Sequence, residues 1–176
     1  MKKILFPILL MATIFATAQE GNPFPAIDAA NLDDESVSLP TDTKGKFTLI
    51  GVAFSEDAQN DLYTWGGPVY DLFLDENGLN AMVYDVNVQL VLLFTGVNKA
   101  AYNKAEKMIK EGTTDTYRDN ILLYKGEMGD LRDELAMEDR KVPYLYVLDK
   151  EGTIIYTTSG RYTRKKMDEI SELVED

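Results

Sequence analysis

The chain reads as one α/β domain: a central mixed β-sheet flanked by helices, ending in a β-hairpin and a terminal helix. Three observations predict it. Phe47-Thr48-Leu49-Ile50-Gly51-Val52-Ala53-Phe54 is a near-continuous apolar run of strand length, the pattern of a strand covered on both faces. Val86 to Thr95 is a second such run, and a helical pattern follows each, giving the order strand, helix, strand, helix. Near the C-terminus Pro143 to Asp149 and Thr153 to Thr157 are strand-length runs joined by the turn Lys150-Glu151-Gly152, the signature of a hairpin.

The elements follow in order. Gly21-Asn22-Pro23-Phe24-Pro25 excludes regular helix and interior strand, because two prolines remove donors and fix φ, so residues 19–35 are expected to be an extended lead-in. Ser36 to Leu39 alternates polar and apolar as a short strand does, and Thr41 to Gly45 is a polar turn. The run from Phe47 is expected to be the central strand. Ser55 and Asp57 are both N-cap types, and the helix they open carries Leu62, Trp65, Val69 and Phe73 at helical spacing. Gly66-Gly67-Pro68 interrupts that helix, predicting a kink or a division in two. Asn98 to Glu111 is an amphipathic helix closed by Gly112; Asn120 to Tyr124 is a short strand, and a helix is expected from Met128 to Met137. Thr163 caps a last helix with Met167, Ile170, Leu173 and Val174 on one face.

Ahead of this domain, Lys2 and Lys3 precede an apolar stretch from Ile4 to Phe15, and Ala16-Thr17-Ala18 has the small residues of a cleavage site. Residues 1–18 are thus expected to be a secretory signal peptide, cut before Gln19; the stretch falls short of the about twenty apolar residues that span a bilayer. The expected location is the periplasm or the cell exterior, with residues 36–176 as the folded domain. The mature chain would keep 158 of the 176 residues, enough for one domain with a sizeable core, and its 16 basic against 30 acidic residues give a net charge of −14. Such a field does not attract nucleic acid or an anionic membrane surface. No cysteine and no histidine occur, so acyl-transfer triads, zinc sites and haem ligation have no residues to build on.

Several of these features carry a resemblance. Phe24-Pro25 in the lead-in, Gly45-Lys46 before the first long strand, and Val142-Pro143-Tyr144-Leu145-Tyr146-Val147-Leu148-Asp149-Lys150-Glu151-Gly152-Thr153-Ile154 resemble the exported thioredoxin-like branch of TlpA-type disulfide reductases and peroxiredoxin relatives. The resemblance implies a thioredoxin-like fold. It also implies that Pro143 stands where that family has a cis-proline facing its redox pair, and that Asp57-Ala58-Gln59-Asn60 stands where Cys-x-x-Cys would lie. Disulfide exchange and peroxide reduction both need a thiolate, so without cysteine this chain performs neither. A fainter similarity, in Leu131-Arg132-Asp133-Glu134-Leu135, Tyr144 to Asp149 and Ser159-Gly160, is to the Atp10-like family, thioredoxin-like chaperones that assemble an ATP synthase.

The expected function is therefore a redox-inactive, exported adaptor or assembly factor that binds a protein or peptide of the cell envelope, with no cofactor and no membrane insertion after signal cleavage. The expected surface comprises Ser55, Glu56, Asp57, Asn60, Asp61 and Tyr63 with Val142, Pro143 and Tyr144, where a backbone beside the family's cis-proline can pair with an extended peptide. The alternative is a carboxylate site: Glu56, Asp57 and Asp61 lie close enough in sequence to crowd one another or hold a hard cation. The simpler reading of the first two is that acids in a first helical turn complement its dipole. Ser55 without a histidine base reads as a cap before it reads as a nucleophile. Arg161, Arg164, Lys165 and Lys166, with Arg140 and Lys141, form the densest basic cluster, and it opposes the dipole of the last helix.

Overall fold

The computed structural model describes residues 20–96, 99–127 and 129–175. The predicted signal peptide lies outside the described residues, as do Asn98 and Met128, where two helices were expected to start. Among the described residues seven strands form one mixed sheet: β1 (Ile27–Ala30), β2 (Ser36–Leu39), β3 (Phe47–Ala53), β4 (Val86–Leu93), β5 (Ile121–Tyr124), β6 (Tyr144–Leu148) and β7 (Ile154–Ser159). Their spatial order is β2-β1-β5-β4-β3-β6-β7. The helices are α1 (Glu56–Val69), α2 (Lys99–Gly112), α3 (Gly129–Glu134) and α4 (Arg164–Val174).

β3 pairs in parallel with β4 and antiparallel with β6, so it is interior, although β4 occupies the middle of the seven. Its apolar continuity has a simple cause. Leu49 faces one core with Leu62 and Trp65, while its neighbour Ile50 faces the other with Val91 and Tyr146. The units β3–α1–β4 and β4–α2–β5 step across the sheet in the same direction, and right-handed crossovers then put α1 and α2 on one face. α4 joins them there through Met167, Ile170 and Val174. Leu173 departs from expectation and is 39% exposed, one position off the buried stripe. The opposite face is closed by Leu131 of α3, by Leu135 and Met137 beyond it, and by Phe24 of the lead-in.

The lead-in contributes more than an extended approach. Once past Pro25 the chain regains its donors, Ile27 and Ala29 turn inward, and β1 pairs with β2 and with β5. The β1–β2 connection is built by Asn31, whose Oδ1 accepts the Asp33 and Glu35 amides at 3.0 and 2.9 Å. At the other end of the sheet, Asp149 Oδ1 accepts the amides of Glu151 and Thr153 at 3.0 and 2.8 Å, and Gly152 takes φ +92° to close the β6–β7 hairpin.

α1 does not break at Pro68. It runs through the proline to Val69, where the Tyr70 amide reaches back to the Gly66 and Gly67 carbonyls, and then widens into a π-type turn over residues 70–74 closed by the Asp75 amide on the Tyr70 carbonyl at 2.9 Å. The Tyr117 hydroxyl donates to the Gly66 carbonyl at 2.7 Å, so a side chain from beyond α2 secures this turn. Trp65, fully buried, donates from Nε1 to the Gly160 carbonyl at 3.0 Å and meets the Tyr162 ring edge-on at 5.6 Å. These contacts fasten α1 to the β7–α4 connection. No described helix is long and apolar enough to cross a membrane.

Candidate functional site

The site expected from sequence lies at the C-terminal end of β3, where the chain turns into α1. Ser55 is the N-cap, with extended backbone (φ −151°, ψ 165°) and Oγ accepting the Ala58 amide at 3.1 Å. The same hydroxyl donates to the Arg140 carbonyl at 2.6 Å. Ser55 thus caps a helix and pins the loop before β6, and both roles use its oxygen. No nearby sequence signal marks the second role, because the partner lies 85 residues away.

The other candidates diverge. Glu56 and Asp57 are exposed on the first turn of α1, as dipole complementarity requires. Asp61, one turn further along α1, faces Arg161 Nη1 at 3.6 Å. The three carboxylates therefore do not converge, and among the described residues no group of three acidic side chains is arranged to hold a metal ion. Glu56, Asn60 and Tyr63 line a groove between α1 and α2 of about 620 Å³, together with Phe94, Met108 and Ile109. Tyr63 is 55% exposed and Met108 62% exposed; contact along part of the Tyr63 side chain desolvates its phenol and pushes its pKa up. The groove continues past Tyr63 and Gly112 to Gly66, Tyr117 and Ile121. Met108 was legible in principle: it and Ile109 are adjacent, about 100° apart on a helix, so one of them leans out of the buried stripe.

The Val142-Pro143-Tyr144 stretch differs from what the resemblance implies. The peptide bond before Pro143 is trans, and the cis bond found among the described residues is Leu39–Pro40. The loop around this bond is held on both sides. Lys141 donates its amide to Asp139 Oδ1 at 2.8 Å, Ser55 holds the Arg140 carbonyl, and the buried Pro143 then enters the β6–β7 pairing directly, its carbonyl accepting the Gly160 amide at 2.8 Å. The Pro143 carbonyl is thus taken within the sheet. Tyr144 stacks on Phe54 at 6.5 Å and 18°, and its hydroxyl accepts the Asp139 amide at 2.7 Å. Val142 is half-buried.

The basic cluster is largely satisfied internally. Lys166 Nζ donates to the Ser159 and Arg161 carbonyls at 2.6 and 3.0 Å, Lys165 pairs with Glu169 at 3.4 Å, and Arg164 approaches Asp168 at 4.0 Å. Those acids one turn on offset the dipole conflict expected at the start of α4.

A mixed sheet with α1 after the β3 strand, the β6–β7 hairpin and α4 behind it defines a thioredoxin-like protein, and one without a thiol. The chain matches the family described as ATP10 protein over residues 12–176, and it belongs to that family. Among solved structures it is similar to the exposed lipoprotein thioredoxin Etrx1 of Streptococcus pneumoniae, with 17% identity and a TM-score of 0.59 over 85% of this chain and 99% of that one. It is also similar to a putative thiol:disulfide interchange protein DsbE of Chlorobium tepidum, with 13% identity and a TM-score of 0.56 over 88% and 95%. A third is BsSco, a member of the Sco family of cytochrome c oxidase assembly proteins, with 16% identity and a TM-score of 0.54 over 86% and 91%. These likenesses establish the fold. No curated protein matches the chain.

Proposed function

We propose that this protein is a redox-inactive assembly factor or adaptor of the cell envelope, exported by its N-terminal segment, that holds a protein partner on the α1 side of the domain. The observation that carries this reading is the α1–α2 groove, where Tyr63 and Met108 stand exposed above Phe94 and Ile109. Exposed aromatic and methionine side chains over a half-buried apolar floor suit an apolar anchor from a protein segment. Glu56 on the groove lining, on a chain of net charge −12, favours a segment with basic residues beside that anchor.

Two further considerations support it. Assembly of a larger complex is what the Atp10-like resemblance implies and what BsSco's family is named for, and it needs a binding surface rather than a thiol. With Pro143 in a trans bond and its carbonyl paired to Gly160, the reading places the partner on the groove residues Glu56, Asn60 and Tyr63, with Ser55, Val142 and Tyr144 as the rigid support of the α1 terminus. Asp57 lies beside Glu56 on the exposed first turn of α1, and Asp61 faces Arg161.

The test is capture of the partner by the mature protein against a Tyr63→Ala, Met108→Ser variant whose folding is verified by its circular dichroism and melting curve. Loss of one partner, specific to the folded variant, is the expected outcome. Equal capture by both would reject the groove. Export is checked separately: the exported protein should begin at Gln19 by N-terminal sequencing.

A further inference from the structure

A second recess opens where the parallel strands β4 and β5 end, and the groove does not use it. Gly96 follows β4, Gly126 follows β5, Gly129 and Arg132 belong to α3, and Arg140 precedes β6; together they border a polar pocket of about 460 Å³. The crevice outside the carboxyl ends of parallel strands is where open α/β sheets take ligands.

Arg140 is held in place on both its backbone and its side chain. Its carbonyl is fixed by the Ser55 hydroxyl, and its guanidinium lies 5.6 Å from the centre of the Phe54 ring, which is itself stacked on Tyr144. Among the described residues no carboxylate pairs with it. Arg132 pairs at 2.8 Å only with its exposed neighbour Asp133, an arrangement worth little in water and open to competition. A Cβ added at Gly96 or Gly129 would meet nothing within 4 Å, so the backbone there is approachable. Among the described residues of the lining the one acid is Glu127.

The geometry points to a binding site for a carboxylate. Two guanidinium forks match a planar carboxylate through paired hydrogen bonds. Glu127, and Asp133 beside Arg132, offset much of the charge of the two guanidiniums, which suits a monoanion better than a phosphate dianion. The negative field of the rest of the chain is screened over about 8–10 Å at physiological salt, so the local pair governs. This inference is independent of the groove, since its residues are separate from Tyr63 and Met108.

The test is an amide-resolved nuclear magnetic resonance titration of the full mature chain at constant ionic strength. The probes are acetate, a blocked pentapeptide with a single glutamate, its glutamine counterpart, and inorganic phosphate. Saturating shifts of the Gly96, Gly126 and Gly129 amides are expected with a carboxylate probe, and Arg140→Gln should weaken them by at least about tenfold. Arg140→Lys, which keeps the charge and loses the fork, should fall between. Saturation by acetate as tightly as by the glutamate peptide assigns a free small acid; tighter binding of the peptide, lost in its glutamine counterpart, assigns an acidic protein segment. Shifts that rise without saturating, that persist in an Arg132→Gln, Arg140→Gln double variant, or that are stronger with phosphate would overturn the assignment.

Discussion

Ser55 shows how one side chain can be read correctly and incompletely. As a cap it is legible, since a serine before two acids opens a helix. Its bond to the Arg140 carbonyl is not, because only the fold brings residues 85 positions apart into contact. Both bonds predict the same variant. Ser55→Ala should lower stability by about 1–2 kcal/mol in urea unfolding, from the lost cap and the orphaned carbonyl. A change smaller than the fitting error would show that neither bond contributes. Tyr156 gives a second prediction at this scale. Burial first, then the hydrogen bond to Glu169 at 2.6 Å, pushes its phenol up to about 12. A folded pKa raised above the ordinary tyrosine value of about 10 contributes stability that is complete below that value and is lost as pH rises through about 12. Tyr146, buried and donating to the Leu135 carbonyl at 2.9 Å, is shifted in the same direction, so the difference between wild type and Tyr156→Phe isolates the Tyr156 share. The variant should lose less stability than wild type between pH 10 and 12; parallel pH curves would contradict this.

Among the elements, the long strands and the C-terminal hairpin were legible because their apolar runs and turn residues agree with the tertiary structure. The departures each have a local cause. β1 forms inside the proline-rich lead-in once Pro25 is passed, since β5 offers it a paired edge that the sequence alone does not reveal. α1 runs on past Pro68 as the Tyr70 amide returns to the Gly66 and Gly67 carbonyls and the Tyr117 hydroxyl adds a bond to Gly66, a tertiary contact that the sequence alone does not reveal. The candidate site was legible only in part, for the same kind of reason: helical spacing put Tyr63 on the surface, but the α2 side of the groove depends on how two helices lie together. The closeness of α1 to the sheet gives a prediction. A Cβ at Gly51 would lie 2.8 Å from Leu62 Cδ1 and 3.0 Å from Leu90 Cδ2. Gly51→Ala should therefore cost about 1–3 kcal/mol and displace Leu62 of α1, whereas Gly67→Ala, which meets nothing within 4 Å, should be neutral or stabilising. Equal stability of the two variants would mean that α1 yields freely.

At the scale of the whole molecule, a scaffold known for thiol chemistry is kept intact around a helix start that has none. The sheet is covered on both faces and stability rests on those two cores, without a disulfide. A thiol reductant or a disulfide-exchange oxidant such as oxidised glutathione should consequently leave both its melting temperature and its partner capture unchanged. What remains for function is surface, and the account locates it in the α1–α2 groove. The most direct measurement is site-specific photocrosslinking in intact cells, with the reactive side chain placed at Tyr63 or Met108 and, as the control, at Leu173 on α4. The account predicts one protein crosslinked from both groove positions and not from the control; the same crosslinks from all three, or none from the groove, would contradict it.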